Sequence, residues 1–161
     1  MNIITFTFFI GEVYSNSALK NTSEFYPVDF FDDDTAIKIL IDEGLDEKVA
    51  REIISKISGV PWMIERVLSS DDPTKKVEDL YKQSKSRLAN FLLEYDDEEK
   101  AIKLLKDIID GKNKPMKENI KTIKDLVQDE ILFYDPINIK VCFQTKLDEL
   151  AAREILKIRR A

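Results

Sequence analysis

Apolar residues recur every three to four positions along most of the chain, and most of these runs end at a residue suited to stop a helix. The opening MNIITFTFFIG is different: a nearly continuous apolar run rich in Ile, Thr and Phe, which predicts a first strand. It is short, lacks a basic leader and meets Glu12, so it is expected to be neither a signal segment nor a membrane span. Ser15, Asn16, Ser17, Asn21, Thr22 and Ser23 favour turns between Glu12 and Pro27, and Phe25 to Phe31 adds a short extended piece. Helices follow. Asp32, Asp33 or Asp34 can cap the one carrying Ala36, Ile37, Leu40 and Ile41, which Gly44 stops. Asp46 caps a second, with Val49, Ile53, Ile54 and Ile57 as its buried stripe; Gly59 and Pro61 close it and start a third through Trp62, Met63, Ile64, Val67 and Leu68.

Asp72 before Pro73 is a strong start signal, because the aspartate accepts orphan amides and proline fits the first helical position. The long helix that follows carries Val77, Leu80, Tyr81, Ser84, Leu88, Phe91, Leu92 and Tyr95 on one side. After the acidic break Asp96 to Glu99, Ala101, Ile102, Leu104, Leu105, Ile108 and Ile109 define another helix, stopped by Gly111. A polar turn with Pro115 leads to a helix with Ile120, Ile123, Leu126 and Val127. In ILFYDPINIKVCF, Asp135, Pro136 and Asn138 separate two strand-like runs, as expected for a hairpin. The last helix, Lys146 to Arg159, is expected to bury Leu147, Leu150, Ala151, Ile155 and Ile158. The pattern is mainly α with a minor β component (α+β), and its last 65 residues suit a winged-helix-like module with a short β-hairpin.

Composition narrows the function. With 161 residues the chain holds one ordinary domain or two small ones. It has no histidine, which removes histidine-based catalytic dyads and triads, the usual zinc ligands and histidine pH switching. Its single cysteine, Cys142, cannot form an internal disulfide, and a reducing, cytoplasmic setting is expected. Net charge is −6. Residues 1–96 hold 11 basic and 18 acidic residues, and residues 97–161 hold 14 and 13, which supports a boundary near Asp96.

Lys112, Lys114, Lys117, Lys121 and Lys124 are opposed in their window only by Glu118. Lys117, Lys121 and Lys124 fall at i, i+4 and i+7, on one helical face opposite Ile120, Ile123 and Val127. Such a face can neutralise DNA phosphates, with Asn138 and Lys140 of the hairpin near the minor groove; the plainer reading is a solvated lysine-rich face. Lys75, Lys76, Lys82, Lys85 and Arg87 read as surface charge, and Lys157, Arg159 and Arg160 as complements to a helix dipole. The aspartate runs read as caps, Ser15 and Ser17 have no base, and the aromatics read as packing. The sequence contains no GxxxxGK[ST] or GxGxxG loop.

Three stretches, FYPVDFFDDDTAIKIL, ISGVPWMIERVL and DEILFYDPINIKVCFQTKLDEL, resemble the carboxyl-terminal half of archaeal AAA-like STAND-group ATPases, and NIITFTF would match a late strand of their nucleotide domain. The resemblance implies a helical lid-like domain with its long linking helix through residue 96 and a winged-helix-like domain over 97–161. It implies structural roles for Gly59 and Pro61, and for Leu132, Phe133, Tyr134, Asp135 and Pro136 in the wing. It also implies that the phosphate-binding loop would precede Met1, so that no independent ATP turnover is expected. About 15 residues between Pro115 and Glu130 are few for both helices of a helix-turn-helix. The expectation is a noncatalytic accessory or remnant module without cofactor or metal. It would contact duplex DNA nonspecifically through the lysine face; the alternative is a module for a protein partner or self-association, with no nucleic acid and no membrane.

Overall fold

The computed structural model describes residues 30–135 and 138–158. The expected opening strand and the loop to Pro27 lie outside these residues, as do Pro136, Arg159 and Arg160. Helix α1 (Asp33–Asp42) is capped by Asp32, whose carboxylate accepts the Thr35 amide and hydroxyl, each at 2.8 Å. It ends at Gly44, whose φ of 98° places it in the left-handed region; the Leu45 amide then returns to the Leu40 carbonyl. Helix α2 (Glu47–Ile57) is capped by Asp46 and α3 (Pro61–Leu68) begins on proline, both as the sequence predicts. Between them the Phe31 amide donates to the Gly59 carbonyl at 3.0 Å in an isolated antiparallel bridge. A Cβ on Gly59 would lie 1.8 Å from the Phe31 carbonyl oxygen, so this close approach requires glycine.

Helix α4 (Pro73–Glu94) has 22 residues and Asp72 as its cap; at 1.5 Å per residue it runs about 33 Å. Helix α5 (Glu98–Ile109) is capped by Asp97 and ends at Gly111, with φ 82°. A 3₁₀ turn (Lys117–Asn119) runs directly into α6 (Ile120–Gln128). Strands β1 (Leu132–Asp135) and β2 (Lys140–Phe143) pair antiparallel, with Leu132 opposite Phe143 and Asp135 opposite Lys140. Helix α7 (Lys146–Ile158) closes the described fold, which is mainly helical with one two-stranded sheet.

Two hydrophobic clusters share α4 and α7. The first joins Ala36, Leu40, Ile54, Ile57 and Val67 to Val77 and Leu80 of α4 and Leu147 of α7. The second joins Leu105, Leu126 and Leu132 to Leu88, Phe91 and Leu92 of α4 and Ala152 and Leu156 of α7. Polar groups mark the seam. Ser84 is buried in α4, and Arg87 Nη2 meets Asp148 Oδ1 at 2.6 Å, with Asp148 only 2% exposed. The Thr145 hydroxyl donates to the other Asp148 oxygen at 2.6 Å. On the same pair of helices Lys85 Nζ lies 2.5 Å from Glu154, which also accepts the Tyr81 hydroxyl.

This seam corrects the expected face of α7. Leu150 is exposed and Ile155 only half-buried, whereas Asp148, Ala151, Ala152 and Leu156 are buried beside Leu147. Asp148 turns inward to meet Arg87, and the two alanines let α4 and α7 approach. An apolar stripe alone does not register a carboxylate buried by a distant arginine.

Candidate nucleic-acid interface

The segment from Lys112 to Lys124 crosses three local structures. Gly111 releases it from α5, residues 112–116 form a connector, and the 3₁₀ turn and α6 follow. The connector is fastened to the hairpin by one backbone bond, from the Val141 amide to the Asn113 carbonyl at 2.8 Å. That bond sets Lys112 and Lys114 beside β2, at whose start Lys140 stands. Hence the structure joins the two parts of the expected site, connector and hairpin, through Asn113. Sequence reasoning passes over Asn113 because its contribution is a main-chain carbonyl, which leaves no residue-type signal.

Lys114, Lys117, Lys121, Lys124 and Lys140 are exposed and form no ion pair among the described residues. Lys112 differs: its Nζ lies 3.0 Å from Asp107 Oδ1, a hydrogen bond and charge attraction that hold its pKa above the ordinary lysine value. Lys117 belongs to the 3₁₀ turn rather than to α6, which corrects the single continuous α-helical face expected for Lys117, Lys121 and Lys124. The connector, bound to β2, leaves too little chain for an earlier α-helical start. Ile120 is a second correction, since it is 44% exposed at the first position of α6, while Ile123, Leu126 and Val127 are buried as expected. Met116, 48% exposed, lies one turn before it.

Asn138 is committed within the hairpin. Its amide N–H and its Nδ2 both donate to the Asp135 carboxylate, at 3.0 and 2.6 Å, so the side chain shapes the turn.

Helices α1, α2, α5 and α7 carry acidic residues in their first turns, whereas α3, α4 and α6 carry none, and Glu118 stands in the 3₁₀ turn just before α6. The positive end of the α6 dipole adds to the lysines, and Glu118 in the preceding 3₁₀ turn offsets part of that charge. The far end of α6 is acidic. Burial, followed by the nearby Asp125 and Glu94 carboxylates, pushes the Asp129 pKa up, with Arg87 opposing. Tyr95 donates to Asp125 at 3.1 Å, and burial raises its hydroxyl pKa. The cationic surface thus ends near Lys124. On β2, desolvation and then the Asp135 carboxylate push the Cys142 thiol up, away from the reactive thiolate.

Among the described residues no cluster of three or more Asp, Glu, Cys or His is arranged to hold a metal ion, and no helix is long and apolar enough to cross a membrane.

No protein-family model matches the chain. Two curated relatives from Methanocaldococcus jannaschii do: the uncharacterized ATP-binding protein MJ1076, 34% identical over 142 residues, and the uncharacterized ATP-binding protein MJ0625, 32% identical over 161. The matches cover 82% and 94% of this chain but 42% and 48% of those proteins, so the chain spans a little under half the length of the curated relatives it matches. Among solved structures, the Walker-type ATPase of Pyrococcus abyssi superposes with a TM-score of 0.50 at 13% identity, over 77% of this chain and 42% of that one. At that identity the likeness is one of fold. The chain is thus related to archaeal proteins named for ATP binding.

Proposed function

We propose that this chain is a noncatalytic, cytoplasmic accessory module, built as a lid-like unit through residue 96 and a winged-helix-like unit beyond it, that contacts duplex DNA without sequence preference. The observation that carries this reading is the set of exposed lysines Lys114, Lys117, Lys121 and Lys124, which lead into and along the first half of α6 and form no ion pair among the described residues. Lysine heads act as mobile point charges, so their contribution is phosphate neutralisation and counterion release rather than base reading. The noncatalytic part rests on the sequence itself, whose 161 residues contain no GxxxxGK[ST] loop and no histidine. ATP binding is a property named for the relatives, and this module would serve such chemistry by holding nucleic acid rather than by turning over nucleotide.

Fluorescence anisotropy with a mixed-sequence duplex, at low and near-physiological salt, tests the proposal. Wild-type binding should be saturable and fall steeply with salt, and replacing Lys117, Lys121 and Lys124 by alanine together should reduce the log–log salt slope by about 2 to 3. No binding at low salt refutes it.

Exposed Met116 and Ile120 among the lysines favour a second reading, an acidic apolar protein partner. Ile120→Asp would then abolish partner binding while the lysine variant only slows association.

A further inference from the structure

Exposed apolar side chains stand at both ends of α6. At its start are Met116 and Ile120, 48% and 44% exposed, among Lys114, Lys117, Lys121 and Lys124, with Glu118 as the one acid in that window. Near its far end, at the close of α4, is Leu93, which at 77% is the most exposed large apolar side chain among the described residues. Here the charge has the other sign. Glu94 follows Leu93 directly and, with Asp125, lies close enough to Asp129 to push the pKa of that carboxyl up. Asp96 is exposed just beyond the helix. Glu94, Asp96, Asp125 and Asp129 form no ion pair among the described residues, and Arg87, the cation nearest Asp129, is engaged by Asp148 and Glu130.

The two surfaces are complementary in charge and each offers an apolar centre, yet one chain cannot join them. Helix α6 has nine residues, so it is about 13 Å long at 1.5 Å per residue, and it holds them apart at its two ends. Its dipole runs in the same sense, positive at the lysines and negative at the carboxylates. Only a second chain can bring one end of α6 to the other.

We propose that the Leu93 surface of one copy of this chain docks on the Ile120 surface of a second copy, head to tail along α6. The lysine heads then ring the apolar contact and meet Glu94, Asp96 and Asp129, an apolar centre inside a charged rim. Two different surfaces meet in such a contact, so each pair leaves one of each kind open and further copies can add. The inference rests on the second reading above, whose acidic apolar partner it identifies as another copy, and it needs no DNA. It also makes a second copy and a duplex competitors for the same lysines.

Sedimentation velocity of the full chain at low salt tests the docking. The average mass of wild type should rise with concentration and fall back to the monomer as salt screens the charges. A start variant (Lys117→Ala, Ile120→Ser, Lys121→Ala) and an end variant (Leu93→Ser, Glu94→Gln, Asp129→Asn) change exposed side chains only. Each alone should associate about tenfold more weakly than wild type or worse. Mixed in equal amounts, they should recover the wild-type affinity and stop at a 1:1 pair, because the mixture keeps one intact surface of each kind. Helical circular dichroism equal to wild type separates lost docking from lost folding, and Leu93→Ala alone should weaken association about threefold at the least perturbed site. Wild type that stays monomeric up to about 200 μM overturns the docking and leaves the DNA reading and a different acidic partner standing. Association of either variant at wild-type strength places the contact elsewhere and overturns it too. Variants that stay apart when mixed, while wild type associates, show a contact between like surfaces and overturn the head-to-tail arrangement. Intact association without duplex binding in the anisotropy assay overturns only the DNA reading.

Discussion

The two hydrophobic clusters are assembled by different means. Around the first, each helix carries its own punctuation: Asp32 and Gly44 bound α1, Asp46 caps α2, Pro61 opens α3 and Asp72 caps α4. Around the second, distant segments must find one another. The Asn113 carbonyl meets the Val141 amide, the Gln144 amide meets the Ile131 carbonyl, and Arg87 meets Asp148 across 61 positions of sequence. Local signals suffice to place the first region's helices, whereas the second region's surface exists only once its long-range bonds have formed. Because α4 and α7 enter both clusters, the two regions are expected to unfold together.

The largest expected effect tests that sharing. Leu105 is fully buried in the second cluster, so Leu105→Ala should cost about 2–5 kcal/mol through lost burial and a residual cavity. Trp62 is the chain's one tryptophan and packs against the first cluster, so its fluorescence reports the other region. In urea, the Trp62 transition should shift together with the helical circular-dichroism transition. A Trp62 midpoint left at the wild-type value would mean that the regions unfold separately.

A smaller effect is expected at the seam. Asp148→Ala removes the partner of Arg87 and of the Thr145 hydroxyl, leaving a guanidinium between the clusters with its Nε already buried and unbonded. The Arg87 side chain is 35% exposed and its Nη1 reaches Glu130 at 3.6 Å, so water and that second carboxylate relieve part of the stranded charge. A destabilisation of about 2–3 kcal/mol follows, below the range for a wholly buried pair. Urea denaturation checks it, and a loss under about 0.5 kcal/mol would remove the seam's claim to tie the regions together.

What was legible in the sequence divides along the same line. Asp32, Asp46, Asp72 and Asp97 cap the helices they precede, and Gly44 and Gly111 end theirs, because each signal acts within one turn. The hairpin was legible from its turn residues. The face of α7 was not, since burial of Asp148 depends on an arginine 61 positions away. In the candidate site the lysines' exposure was legible, while their arrangement depends on the 3₁₀ turn and on the bond accepted by Asn113, neither of which residue type announces. Thr145 illustrates a signal present but passed over: it precedes Asp148 by three residues, and its oxygen accepts the Asp148 amide at 3.2 Å at the start of α7.

The smallest expected effect sets the two regions against each other through acid. In the first, the Thr35 amide and hydroxyl hold the Asp32 carboxyl below its ordinary 3.8, so its contribution to stability is present above that pH and is lost as pH falls through the folded value. In the second, burial and then the Asp125 and Glu94 carboxylates hold Asp129 above 3.8, which reverses the sign: its contribution is full below 3.8 and is lost as pH rises through the folded value. At neutral pH, Asp32 therefore supports its helix while the Asp129 charge opposes the fold around it. Asp129→Asn should raise the urea midpoint at pH 7, and the gain should shrink to nothing below pH 3.8, where the native side chain is neutral in both states. Asp32→Ala should lower the midpoint at pH 7, with a deficit that narrows in acid. A lowered midpoint for Asp129→Asn at pH 7 would show instead that the carboxylate is held by favourable contacts at the acidic end of α6. The charge contrast along that helix, lysines at its start and carboxylates at its end, would then have to be redrawn.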